Sequence, residues 1–181
     1  LLSQLRSRGA SGLPSNNQPN AVFQAGNALA LGDLQMGGGY LVLRSNAMSF
    51  GGTIASADPL FVNIRSASAA PIQIENADFE ADGLGLTATQ LRAFANPVFA
   101  FGGSDYEGAI VVGKNGAVDL ANTRASLLFL STDSVTGADQ IRTGGRVVAV
   151  APVVTNTAAP PTPPPQTEEF EPANSSGKEI E

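Results

Sequence analysis

The chain has 181 residues, enough for one domain with a real core and short for two. Charged residues make up 14%, against roughly a quarter in an ordinary domain, while Gly contributes 20 residues and apolar residues 43%. The absence of His and Cys excludes most zinc sites, Ser-His-Asp or Cys-His catalysis and any disulfide framework, and a formal charge of −6 argues against a general nucleic-acid binder.

Residues 1–26 read as a loop-rich leader: Leu1, Leu2 and Leu5 suit one short helix, and 7–20 are rich in Ser, Gly, Asn and Pro. Leu1 is not a start methionine and nothing near it has the layout of a signal peptide, so the chain reads as a processed product or a piece of something longer. No apolar run approaches the roughly 18 residues of a transmembrane helix.

From residue 27 onward, apolar residues alternate in short bursts. In order these are Leu29/Leu31, Leu41/Leu43, Met48/Phe50, Val62/Ile64, Ile72/Ile74 and Leu84/Leu86, then Phe99/Phe101, Ile110/Val112, Val118/Leu120, Leu128/Leu130 and Val148/Val150. A period of two over a few residues, punctuated by Gly, Asn, Asp or Ser, predicts short half-buried strands. Only Thr87–Asn96, ahead of Pro97, has the length and composition of a helix. Gly113-Lys114-Asn115-Gly116, between two alternating bursts, carries the Asn-Gly signal of a hairpin. Residues 156–181 close the chain as a proline-rich acidic tail. Its Pro160, Pro161, Pro163, Pro164 and Pro165 favour extended polyproline geometry, and Glu168, Glu169 and Glu171 resist collapse. The expectation is a disordered tail whose removal leaves stability unchanged.

The bursts recur. Those beginning at 41, 62, 84, 110, 128 and 148 are spaced about 20 residues apart, and Leu41-Val42-Leu43-Arg44-Ser45 aligns with Val62-Asn63-Ile64-Arg65-Ser66. This period predicts an all-β chain: a right-handed parallel β-helix (solenoid) over 27–155, with the widest step explained by the 87–96 helix bulging outward. The alternative, favoured by the Asn-Gly hairpin signal, is an antiparallel β-sandwich.

The phrase Gly39-Tyr40-Leu41-Val42-Leu43-Arg44-Ser45-Asn46-Ala47-Met48-Ser49-Phe50-Gly51-Gly52-Thr53-Ile54 resembles the repeats of filamentous-haemagglutinin-like exoproteins. These are the large secreted partners of Gram-negative two-partner secretion systems. The resemblance covers roughly 27–150 and lies in a strand, a Ser/Asn corner, a second strand ending in Gly-Gly and a third strand. It implies the carboxy-terminal portion of a repeat region, an outer-membrane secretion partner, and an extracellular or cell-surface location. The absence of cysteine suits unfolded passage through a pore.

Few residues carry chemistry. Asp78, Glu80 and Asp82 alternate with Phe79 and Ala81, so an extended backbone places the three carboxylates on one face; they are the candidate calcium ligands. The twelfth position of the corresponding calcium loop is Thr89 rather than Glu, and the plain reading is a solvated outer face. Asp105-Tyr106-Glu107, between glycines, joins acid to aromatic and is a candidate sugar-stacking loop, or simply a polar turn. Arg44 and Arg65 hold equivalent repeat positions and stack one coil apart, suited to an anionic glycan or to loose ion pairing. Gly37-Gly38-Gly39 lacks the Lys and Ser/Thr of a phosphate loop and reads as a corner.

These features predict a non-enzymatic structural or adhesive segment with no cofactor other than calcium, offering loops to a cell-surface glycan or protein receptor. A carbohydrate-active β-helix enzyme would need Asp78, Glu80, Asp82, Asp105 and Glu107 to converge in one groove. A self-associating fibre subunit is the third reading, because the ends of a β-helix are open strand edges.

Overall fold

The computed structural model describes residues 21–95 and 97–156; the helix expected near Leu1 and the tail beyond 156 lie outside the described residues. The chain is all-β, and every strand pairing is parallel. An antiparallel sandwich is therefore excluded.

Strands come in rounds of the chain. The first holds β1 (Ala21–Gln24), β2 (Ala28–Leu31) and β3 (Leu34–Met36); the second β4 (Gly39–Arg44), β5 (Ala47–Phe50) and β6 (Ile54–Ser56). The third holds β7 (Leu60–Arg65), β8 (Ile72–Glu75), β9 (Leu84–Thr87) and the single helical turn α1 (Ala88–Leu91). The fourth holds β10 (Pro97–Gly102), β11 (Ile110–Val112) and β12 (Val118–Leu120); the fifth β13 (Ser126–Leu130), β14 (Ser134–Thr136) and β15 (Ile141–Thr143). The last begins with β16 (Val147–Val150) and β17 (Val153–Thr155).

The opening strand of each round enters one six-stranded sheet in chain order, β1-β4-β7-β10-β13-β16. The second strands β8, β11, β14 and β17, with the third strand β9 at the edge, form the five-stranded sheet β17-β14-β11-β8-β9; β2 pairs with β5, and other third strands pair as β3-β6 and β12-β15. Sequential parallel sheets of this kind are compatible with a β-helix. Among the described residues the first strand of the stack starts at Ala21, inside the segment read from sequence as leader, because β1 pairs with β4 from Ala21↔Leu41 to Gln24↔Arg44.

The repeat alignment holds where the chain is regular. Leu41↔Val62, Leu43↔Ile64 and Arg44↔Arg65 are Cα partners, as are Leu128↔Val148. It fails in the middle, since Leu84 and Ile110 both pair with Ile72 in the five-stranded sheet and are not rungs of the six-stranded one. The true partner of Val62 is Phe99. The long step arises because the chain leaves β8, crosses a loop at 76–83, and lays β9 along the edge of β8 that faces β5. The helix expected over 87–96 shrinks to α1, which does not bulge outward: Ala88 and Leu91 are buried. Thr87 and Gln90 form a capping box at its start.

The Asn-Gly turn is not a hairpin. β11 pairs with β8 and β14, and β12 with β15, so Gly113–Gly116 is a corner between sheets. Parity also slips in the last two rounds: Leu127 and Phe129 point inward, while Leu128, Leu130, Val148 and Val150 face outward. Apolar residues on both faces of β13 and β16 give alternation no polar partner from which to tell the faces apart.

The core is built of ladders one residue wide. Leu41, Val62, Phe99 and Leu127 form one; Leu43, Ile64, Phe101 and Phe129 form the next, and all of them are buried. Phe101 and Phe129 stack at 5.3 Å between ring centroids, and Phe94 meets Phe50 and Phe99 edge-on at 5.0 and 5.2 Å. Each fully buried ring or branched aliphatic contributes roughly 1.5–3 kcal/mol through burial, which lets small Gly, Ala and Ser occupy the corners. Among the described residues no helix is long and apolar enough to cross a membrane.

Candidate functional site

The corner between the six-stranded and five-stranded sheets widens in the third and fourth rounds. After β7 the chain spends residues 66–71 reaching β8, and after β10 it spends 103–109 reaching β11. Gly102 starts the second excursion at φ +75°, where a Cβ would come within 2.2 Å of the Leu130 carbonyl. A side chain at Gly103 would run into the Arg65 guanidinium. These two glycines let the loop fold back over β7.

The result is a groove of about 220 Å³ lined chiefly by Arg44, Arg65, Ser66, Ser68, Asp105 and Glu107. Parallel pairing sets Arg44 beside Arg65 on adjacent strands. Arg65 is held on two sides: its Nη1 lies 2.9 Å from Asp105 Oδ1, and its Nε donates to Asn63 Oδ1 at 2.7 Å. Asn63 is buried on an otherwise outward position, and its amide donates to the Ala100 and Gly102 carbonyls, tying β7 to the start of the loop. Arg44 has no ion-pair partner among the described residues. Across the groove floor, Asn46 Oδ1 accepts from Ser66 Oγ at 3.1 Å and from Ser68 Oγ at 3.0 Å.

Tyr106 anchors this loop. Its hydroxyl donates to the Ala70 carbonyl, its carbonyl accepts from the Thr132 amide at 2.8 Å, and burial pushes its phenol up to about 12. The ring is 6% exposed. It is a structural pin and offers no open face for sugar stacking, which corrects that part of the expectation for Asp105-Tyr106-Glu107. Asp105 and Glu107, by contrast, are exposed on either side of it.

All five residues singled out for binding, Arg44, Arg65, Asp105, Tyr106 and Glu107, thus line one groove although they span 64 positions of sequence. The acidic cluster lies elsewhere. Asp78, Glu80 and Asp82 are exposed while Phe79 and Ala81 turn inward, the alternation expected. Among the described residues, however, no three carboxylates group around a common cation position. Asp78 borders a second groove of about 300 Å³ with Glu75, Asn76, Phe79, Asn115 and Gly116. The five acids of the enzymatic reading are therefore divided between two corners.

Glu75 went unnoticed in the sequence. It is 4% exposed, and its two carboxylate oxygens accept from the amides of Lys114 at 2.9 Å and Asn115 at 3.2 Å. It caps the corner after β11 from one round below, with Gly113 at φ +61° and Gly116 at φ +139° shaping the turn. Asn46, Asn63, Ser66 and Ser68 were also missed as site builders, although Ser45 and Ser66 stand in the aligned repeat.

Comparison with known proteins brings no match to a family, to a curated protein or to a solved structure.

Proposed function

We propose that the chain is a non-enzymatic structural and adhesive segment: a right-handed parallel β-helix forming a stiff rod whose corner loops meet a cell-surface, host or matrix partner. The observation carrying this reading is the parallel register itself. Each round returns to one sheet in chain order, so loops of any length can be inserted at a corner without disturbing the ladders on either side. The two long corners at 66–71 and 103–109 fall together and make the groove at Arg44, Arg65, Asp105 and Glu107, which carries hydrogen-bonding groups of both signs and no His or Cys chemistry. The resemblance of residues 39–54 to filamentous-haemagglutinin-like repeats supports an extracellular or cell-surface setting in a Gram-negative bacterium, with an outer-membrane secretion partner.

Two experiments test this. Replacing Tyr40 and Phe61, Cα partners on β4 and β7, by cysteine in this cysteine-free chain should give an internal disulfide on mild oxidation, since parallel neighbours sit about 4.8 Å apart and within bridging range. Failure to form it would overturn the stacked fold. Immobilised glycans and matrix proteins should retain the parent chain and lose an Arg44→Ala, Asp105→Ala double variant; equal retention of both would remove the groove from the proposal.

A further inference from the structure

One side wall of the stack is apolar on its outside. Core and outward side chains alternate along the six-stranded sheet, and its middle outward rung runs Val22, Val42, Asn63, Ala100, Leu128 and Val148. The outward rung beside it runs Tyr40, Phe61, Val98 and Ser126. Only Asn63 and Ser126 in these two rungs are polar, and Asn63 is turned onto the Ala100 and Gly102 carbonyls. The five-stranded sheet is built the other way, with Gln73, Glu75, Ser134 and Thr136 among its outward residues. Phe61 is 49% exposed although it stands in the third round with described strands on both sides. A coil added at either end would lengthen this wall without covering it. Contiguous apolar surface of this kind marks an interaction site.

The wall is complementary to itself. A second copy laid on it face to face, with strands aligned and rounds in reverse order, is related by a two-fold axis along the strands between β7 and β10. Phe61 then lies over the copy's Val98, Tyr40 over Ser126, Val42 over Leu128 and Asn63 over Ala100, so large side chains meet smaller ones. Charge along the rim agrees. At the carboxy-terminal ends of the strands, rounds two and three carry Arg44 and Arg65, whereas the corners of rounds four and five carry Asp105 and Asp133. Reversing the rounds brings Arg65 towards the copy's Asp105 and Arg44 towards its Asp133. Arg44 thereby gains the ion-pair partner it lacks among the described residues of its own chain. The other two-fold, along the stack, would press Tyr40 and Phe61 onto Arg44 and Arg65 and strip water from the guanidinium groups. The flanking sequence is a poorer occupant. Residues 157–181 hold Phe170 and Ile180 as their only large apolar side chains, and residues 1–20 hold four leucines among polar and small residues.

We infer that the outer wall of the six-stranded sheet is a docking surface for a second copy of this chain, laid face to face with its rounds reversed. The inference goes beyond the groove and its partner and rests on the register of the sheet. Strands about 4.8 Å apart and residues about 3.3 Å apart make a wall of roughly 29 by 16 Å, so two copies bury about 900 Å² before the rims add theirs. Specific interfaces begin near about 1,000 Å², so the pair is reversible. The contact is isologous and closes at two copies.

Sedimentation equilibrium on the full chain tests the inference. The parent should pass reversibly from one chain to two as concentration rises, and stop there. Phe61→Glu, at an outward position, should melt like the parent and weaken the dimer by about tenfold or more. Val98→Glu, facing it across the two-fold, should do the same and serves if Phe61→Glu does not fold. Arg44→Asp and Asp133→Arg should each weaken the dimer by about threefold or more, and the two together should restore it, which general stickiness does not do. A parent that stays monomeric, an assembly that grows past two, a dimer indifferent to the glutamates, or a double swap no tighter than the single variants would overturn the inference. A monomer that floats with anionic lipid vesicles would give the wall to a membrane surface and overturn it as well. The Tyr40–Phe61 disulfide separates these failures from failure of the fold, since a monomer that forms the bridge keeps the stack and loses only the dimer. Retention on glycans and matrix proteins is scored apart from mass, so the groove and the wall stand or fall independently.

Discussion

The corner after β7 and β10 and the corner after β8 and β11 belong to the same two rounds, yet they place charge in opposite ways. At the first, Arg65 and Asp105 pair at the surface and leave Arg44 and Glu107 turned to solvent. At the second, Glu75 is drawn inside and spends both oxygens on the backbone of the next round. A carboxylate on two amides is a strong, charge-assisted arrangement, while an exposed ion pair gains little over its hydration. One corner is closed by its own carboxylate and the other is left open to solvent. The dense run Asp78-Phe79-Glu80-Ala81-Asp82, the most conspicuous in the sequence, lies in the corner after β8, yet none of its carboxylates takes part in capping the Lys114 and Asn115 amides.

Glu75→Ala should be the most damaging change at either corner. It strands the Lys114 and Asn115 amides and should cost about 3 kcal/mol in urea unfolding, with Glu75→Gln, which keeps one acceptor, costing about half. If both variants unfold like the parent, water replaces the carboxylate freely and the contrast between the corners dissolves.

The open corner has one buried titratable member, Tyr106, and alkaline pH isolates it. Burial raises the Tyr106 pKa from 10 to about 12, so between those values the folded chain keeps a phenolic proton that the unfolded chain has lost. Its contribution is whole below pH 10 and disappears as pH rises through 12, a loss on the order of 2–3 kcal/mol for two pKa units. Melting curves of the parent and Tyr106→Phe across pH 9–12 should converge as pH rises; parallel curves would mean the ring is wetter than its surroundings imply.

Smaller effects belong to the exposed pair. Arg65→Ala should cost about 1–2 kcal/mol, because it also strips Asn63 Oδ1 of a donor beneath the surface. Asp105→Ala should cost under about 1 kcal/mol, and the double-mutant coupling should shrink in high salt. Added calcium should leave the melting temperature unchanged, and a clear rise would restore a metal role to Asp78, Glu80 and Asp82.

What could be read in the sequence followed from local pattern. Period two located most strands, and the alignment of Leu41–Arg44 with Val62–Arg65 matched the register of β4 and β7 residue for residue. The groove residues were chosen one loop at a time. Nothing local indicates that 103–109 folds over 66–69, because that depends on Phe99 pairing with Val62 across the irregular round. Glu75 was illegible for the same reason. Its partners lie 39 and 40 residues ahead, a distance set by the 76–83 loop and β9 and by no repeat. The inward parity of β13 was hidden by leucines on both faces of the strand.

The registers carry a kinetic consequence. About half of the rungs join residues 19 to 21 positions apart, as in Ala28↔Ala47, Ala21↔Leu41 and Leu41↔Val62, so many of the strands need only a short loop to close before they are captured by the one before. Val62↔Phe99 is nearly twice as far, but closure entropy grows with the logarithm of length and the extra span adds only about 0.5 kcal/mol. The chain can therefore add one strand at a time from a short nucleus, and the irregular third round slows that growth without forcing it to wait for distant parts of the molecule.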